Sequence, residues 1–167
     1  MPEKFRRTGV RTEWADVNQG GRLADSFLEG PVFDTQGNLY VTDIPFGRVF
    51  RIDHKGEWDL VAQWEGEPNG MKFLNDTELL VTDYKNGLMR LNIQTGQVQT
   101  FLERRNSESF KGVNDLVLDS RGNVLHRPRA KRHARPLWAG VQTVARWQVR
   151  PVAEQRAQPQ WHRTVTR

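Results

Sequence analysis

EGPVFDTQGNLYVTD (residues 29–43) and PNGMKFLNDTELLVTD (residues 68–83) are two copies of one pattern. Each opens on a Gly/Pro/Asn turn and runs through a short apolar stretch, Val32-Phe33 or Met71-Lys72-Phe73. Each then crosses a polar turn and closes in an apolar strand ending Thr-Asp. A third copy begins at residues 112–124, GVNDLVLDSRGNV, with Leu116-Val117-Leu118 as its apolar stretch. Gly30 to Gly70 is 40 residues, Asp43 to Asp83 is 40, and Asn69 to Asn114 is 45. A period of that length, with several short strands per unit, is the mark of a β-propeller blade.

The remainder of each unit agrees. RVFRID (48–53) and LMRLNI (88–93) alternate apolar with polar residues, which predicts half-buried strands. DHKGEW (53–58) and IQTGQV (93–98) read as hairpin turns with glycine where positive φ is wanted. WDLVAQW (58–64) and VQTFLE (98–103) supply outer strands. The expected fold is therefore all-β, with blade one near 29–66, blade two near 67–105 and the start of blade three at 112–124. Residues 1–28 form an N-terminal segment in which 10–24 could add a ring-closing strand. The plainer alternative is a generic all-β domain with recurrent turns.

Composition narrows the function classes. There are no cysteines, which excludes disulfides and thiolate metal sites. The N-terminal stretch MPEKFRRTGVRTEW lacks a signal-peptide apolar core, and nothing approaches the ~20 apolar residues of a membrane span. A cytoplasmic protein without membrane contact is expected. The formal charge of +5 hides an asymmetry. Residues 124–167 carry ten Lys/Arg against the single acid Glu154, leaving fifteen basic and nineteen acidic residues for 1–123. Such a break marks a boundary, and 125–167 is read as a separate basic tail.

Glu29-Gly30-Pro31, Pro68-Asn69-Gly70 and Asn114-Asp115, each opening a unit, together with GNLYVTD, resemble the gluconolactonase / senescence marker protein / luciferin-regenerating enzyme family. The resemblance covers about residues 14–124. It implies a six-bladed propeller, of which this chain would hold about two and a half blades. It also implies one divalent cation in the central channel, calcium first and zinc as the alternative, and hydrolysis of sugar-acid lactones. A hard cation takes oxygen ligands and can polarise a lactone carbonyl. By resemblance Glu29 matches the metal-binding glutamate and Asn114 an asparagine that faces substrate and, in some members, the metal through water, with Asp115 beside it; Asn69 lies on the channel lip, either behind the metal's ligands or lining substrate. The family's other ligands, an Asn and an Asp in later blades, have no counterpart here.

On residues alone, Glu29 could be a solvated turn residue, and Asn in Pro-Asn-Gly is ordinary turn chemistry. Asp43 and Asp83 read as turn caps and His54 as an exposed hairpin residue. There is no phosphate-cradling loop, HExxH or serine elbow. Two rivals remain for function: a non-catalytic propeller binding module, and nucleic-acid binding through the tail.

The third unit should end Thr-Asp but gives His126-Arg127-Pro128. Trp138, Trp147 and Trp161 among arginines would suit a nucleic-acid or anionic-surface contact, and 137–148 could form one weak helix. Otherwise the tail would be disordered. A shifted reading frame accounts for more. His-Arg-Pro written CAC CGA CC reads ACC GAC, Thr-Asp, one base later. Residues 133–136, preceded by a G and written CAT GCA CGA CCC, yield Gly-Met-His-Asp-Pro under the same shift, and 146–154 can be written so that it gives Asp-Gly-Lys-Phe-Asp-Leu-Leu-Leu. Residues 158–165 can likewise be written to give Ser-Pro-Asn-Gly-Thr-Val-Leu, a Pro-Asn-Gly blade opening. All four use one shift in one direction, as expected if one base was gained or two lost near codon 125. On this reading the ring cannot close and the chain is truncated and inactive, its nucleic-acid reading losing its basis.

Overall fold

Leu79, Leu80 and Val81 are consecutive and fully buried, a run that suits a sheet covered on both faces rather than one half in water. In the computed structural model they lie at the centre of the second of two complete antiparallel meanders. The first meander is β1 (Leu28–Phe33), β2 (Leu39–Asp43), β3 (Arg48–Ile52) and β4 (Trp58–Gln63). The second is β5 (Pro68–Asn75), β6 (Glu78–Asp83), β7 (Gly87–Asn92) and β8 (Val98–Leu102). A two-residue hairpin follows, β9 (Arg104–Arg105) with β10 (Glu108–Ser109). A third sheet has β11 (Val113–Leu118), β12 (Asn123–Pro128) and β13 (Gln142–Arg146) in chain order. The structure describes residues 1–102, 104–105, 108–109, 113–118, 123–128 and 142–146, with side chains for 1–102 and 113–118.

The sheets stack as blades. Tyr40, Val49 and Ala62 of blade one meet Met71, Leu79, Val81, Met89 and Leu91 of blade two. Leu80 and Leu88 on the other face of blade two meet Val113 and Leu116 of blade three. Leu79 serves one interface and Leu80 the other because successive strand side chains point to opposite faces. Each such buried leucine, valine or methionine contributes about 1.5–3 kcal/mol. The innermost strand β5 touches both β1 and β11, so the three inner strands run side by side. Gly56 and Gly96 adopt φ of 81° and 71° in the expected hairpins.

Four expectations are corrected. β3 is not half-buried: Arg48, Val49 and Phe50 are all 0% exposed. Val49 faces blade two, and the N-terminal segment covers the opposite face. The Phe5 ring, in a 3-10 turn at Glu3–Phe5, lies 4.9 Å from that of Phe50. The Arg48 guanidinium donates from Nη1 to the Phe5 carbonyl at 2.9 Å.

The segment 10–24 forms no strand; it carries α1 (Glu13–Gln19). Thr12 caps its start by accepting from the Ala15 amide, and Gly20 ends it at φ 63°.

The expected helix over 137–148 is replaced at 142–146 by β13, where β-branched Thr143 and Val144 suit a strand. Finally, β12 continues through residue 125 to Pro128, so the half blade expected has three strands. The expectations for the remainder of the basic tail, including Trp138, Trp147 and Trp161, lie outside the described residues.

Candidate functional site

The inner strand of each blade breaks register at the same point. The irregularity falls between Glu29 and Val32 in β1, between Pro68 and Met71 in β5, and between Val113 and Asp115 in β11. Glu29, Asn69 and Asn114 therefore sit within strands, at bulges, rather than in opening turns. A bulge inserts an unpaired residue, bends the strand and re-aims a side chain. At Gly30 the backbone turns through φ 57°, a conformation that side chains with a Cβ disfavour.

The three bulges line one cleft of about 220 Å³ that holds Glu29, Asn69, Asn114 and Asp115, the four residues singled out from sequence. Lys72 lines it too. Asn69 Nδ2 donates to Asn114 Oδ1 at 3.1 Å, joining blades two and three across the cleft. Glu29 and Asp115 are exposed, while both asparagines are half-buried. Asp115 Oδ1 accepts from the Leu116 amide at 2.8 Å.

The Thr-Asp pairs hold this geometry. Thr42 Oγ1 donates to the Asn69 carbonyl at 3.0 Å. Thr82 Oγ1 donates to the Asn114 carbonyl at 3.0 Å, with the Gly70 carbonyl 3.1 Å away. Each threonine thus ties the end of its own second strand to the bulge of the next blade. Asp83 is a buried turn cap, in keeping with the sequence reading, whereas Asp43 makes no cap hydrogen bond on the turn that follows it and pairs with buried Arg48 instead. Asp83 accepts from the amides of Glu67, Lys85 and Asn86 at 2.9–3.1 Å and from Trp64 Nε1 at 2.6 Å. His54 is exposed in its hairpin. The threonine period was visible in the sequence, yet its latching role was not, because the partners are backbone carbonyls 27 and 32 residues away.

α1 docks at the end of the blades where β1 and β5 begin. Trp14 packs on Phe27, ring centroids 4.7 Å apart. Lys85 bridges Glu13 at 2.8 Å and Glu67 at 3.6 Å, linking α1 to blade two. Burial pushes the Glu67 carboxyl above its ordinary value of 4.5, and Lys85 offsets only part of this. A carboxyl raised in the folded state binds its proton more tightly there than in the unfolded chain. Its contribution to stability therefore falls as pH climbs above 4.5 and levels once the folded-state carboxyl has ionised. Urea melts of wild type and Glu67→Gln between pH 4 and 7 should show wild type losing ground to the variant over that rise. A relative gain by wild type would contradict the assignment.

The donors suit a hard cation in kind: two carboxylates and two amides. They do not suffice in number. Among the described residues no group of three His, Cys, Asp or Glu converges. The side-chain Oδ1 of Asn114 already accepts from Asn69, whereas calcium takes about 6–8 oxygens. The described residues do not complete a calcium site.

Stacked antiparallel meanders with their inner strands side by side define a segment of a β-propeller. The SMP-30/Gluconolactonase/LRE-like region matches residues 27–148, and the chain belongs to that family. No curated protein matches the chain significantly in sequence. A gluconolactonase from Xanthomonas campestris superposes with a TM-score of 0.56 at 20% identity, over 71% of this chain and 43% of that one. A second structure, provisionally assigned as a gluconolactonase, gives 0.54 at 16% identity over 60% and 36%. A virginiamycin B lyase from Staphylococcus aureus gives 0.52 at 15% over 66% and 40%. At these identities the likeness is one of fold. The chain spans 36–43% of the length of these three proteins. Among the described residues no helix is long and apolar enough to cross a membrane.

Proposed function

We propose that the complete protein hydrolyses a sugar-acid lactone with the help of a divalent cation, calcium before zinc. Convergence of three bulges on one cleft containing Glu29, Asn69, Asn114 and Asp115 is the observation that carries this reading. Glu29 donates one cation ligand, and blades beyond this chain donate the remainder. Asn69, Asn114 and Asp115 face substrate, where amide and carboxylate groups match sugar hydroxyls. Family membership and the Xanthomonas gluconolactonase support the substrate class.

The reading frame is proposed to shift near codon 125, so that the chain as it stands lacks the later ligands and has no lactonase activity. The family match runs on to residue 148, so the coding DNA is the first test. An uninterrupted, reproducible frame across codon 125 overturns the shift. The activity test compares the chain with its frame-restored form on gluconolactone. Hydrolysis by the restored form that a chelator abolishes and calcium or zinc returns is the expected result. Absence of both metal uptake and hydrolysis in that form overturns the enzyme in favour of a binding module.

A further inference from the structure

Lys72 is a charge that the blade does not need. It stands three residues after Asn69 and pairs in register with Leu80. Val32, paired with Tyr40, and Val117, paired with Leu125, hold the same place in blades one and three. Two valines at equivalent positions show what the scaffold accepts there. Lys72 is half-buried and lines the cleft beside Asn69, Asn114 and Asp115. Among the described residues it forms no ion pair or hydrogen bond, although Glu29 and Asp115 line the same cleft. Other half-buried cations are matched: Arg51 by Asp59, Lys85 by Glu13 and Glu67, Arg90 by Glu78. The Lys72 ammonium thus has no acceptor among the described residues, and an anionic ligand in the cleft would supply one.

We propose that Lys72 anchors the carboxylate of a polyhydroxy acid, making the cleft selective for the anionic form of a sugar acid over neutral sugars. This rests on the reading of the cleft as the substrate site, and it adds the residue and charge that select the ligand. The amides of Asn69 and Asn114 then meet hydroxyls, while the ammonium meets the carboxylate that lactone opening releases.

The test is titration of the full chain with gluconate and with sorbitol, followed by amide shifts in NMR. Gluconate should move the signals of residues 29, 69 and 114 and bind at least about tenfold tighter than sorbitol, in line with a charge-assisted hydrogen bond. Lys72→Met keeps the aliphatic stem and should lose about ten- to hundredfold in gluconate affinity with sorbitol unchanged; Lys72→Arg should keep most of it. Equal gluconate affinity in Lys72→Met, equal binding of sorbitol, or no gluconate binding by wild type each overturns the proposal. Both variants are first checked against wild type by thermal melting. The frame-restored protein separates the two readings. Lactone hydrolysis with gluconate affinity indifferent to Lys72→Met sinks the role of Lys72 alone. Lys72-dependent gluconate binding without hydrolysis under any metal sinks the enzyme and leaves the anchor.

Discussion

Gly30→Ala is expected to destabilise the protein by about 2–5 kcal/mol and to force blades one and two apart at the cleft. Two costs combine. The backbone at Gly30 has φ 57°, which costs a residue with a Cβ about 1–2 kcal/mol. A methyl there would also lie 2.0 Å from the Asn69 carbonyl oxygen and 3.0 Å from its carbon. Those atoms are backbone in the next blade, and Thr42 already holds that carbonyl. They cannot swing aside as a side-chain tip can, so overpacking adds about 1–3 kcal/mol. Gly37→Ala provides the calibration: φ there is 84°, but nothing lies within 4 Å of the added carbon. It should show the conformational cost alone. Urea melts of the two variants decide the matter; equal losses would remove the claim that blade contact sets the cleft.

The same residues show where the sequence was legible. The 40-residue repeat of Gly30/Gly70 and Asp43/Asp83 exposed the blades because turn and strand chemistry is local and recurs. Gly56 and Gly96 were readable as hairpin glycines for the same reason. The convergence of Glu29, Asn69 and Asn114 followed from their equivalent places in each unit. Their setting in bulges did not, since a bulge is a mismatch between two strands and neither strand alone records it. Arg48 reads as a solvated strand residue until its cross-strand partner Asp43 and the covering Phe5 are in place. α1 was missed despite local signals, Thr12 at its start and Gly20-Gly21 at its end. It spans seven residues and buries only Trp14 and Ala15, too short for a periodic apolar face. Lys72 passed unremarked inside the apolar stretch Met71-Lys72-Phe73; only the equivalent places of Val32 and Val117 in the other blades single it out.

Asp43→Asn should cost about 3–5 kcal/mol, because it leaves a buried guanidinium without its counter-charge. The Asp43 and Arg48 side chains are 0% and 1% exposed. Oδ2 of Asp43 accepts from both Arg48 Nε, at 2.9 Å, and Nη2, while Oδ1 accepts from the Phe27 amide at 2.8 Å and Ser26 Oγ at 3.1 Å. Asparagine can keep the Oδ1 contacts, but its Nδ2 would stand as a donor where Oδ2 accepts, so the variant removes the charge together with both Arg48 hydrogen bonds. Adding Arg48→Met removes the stranded cation and should recover most of the loss, since a buried pair replaced as a unit is often near neutral. Recovery of stability should not extend to the N-terminus. Arg48 also holds the Phe5 carbonyl, and the double variant lacks that bond. Trypsin should therefore cut after Arg6 and Arg7 faster in the double variant than in wild type, even where the melts of the two coincide. A single variant within about 1 kcal/mol of wild type would mean that water reaches the pair and that the N-terminal segment does not seal this face of blade one.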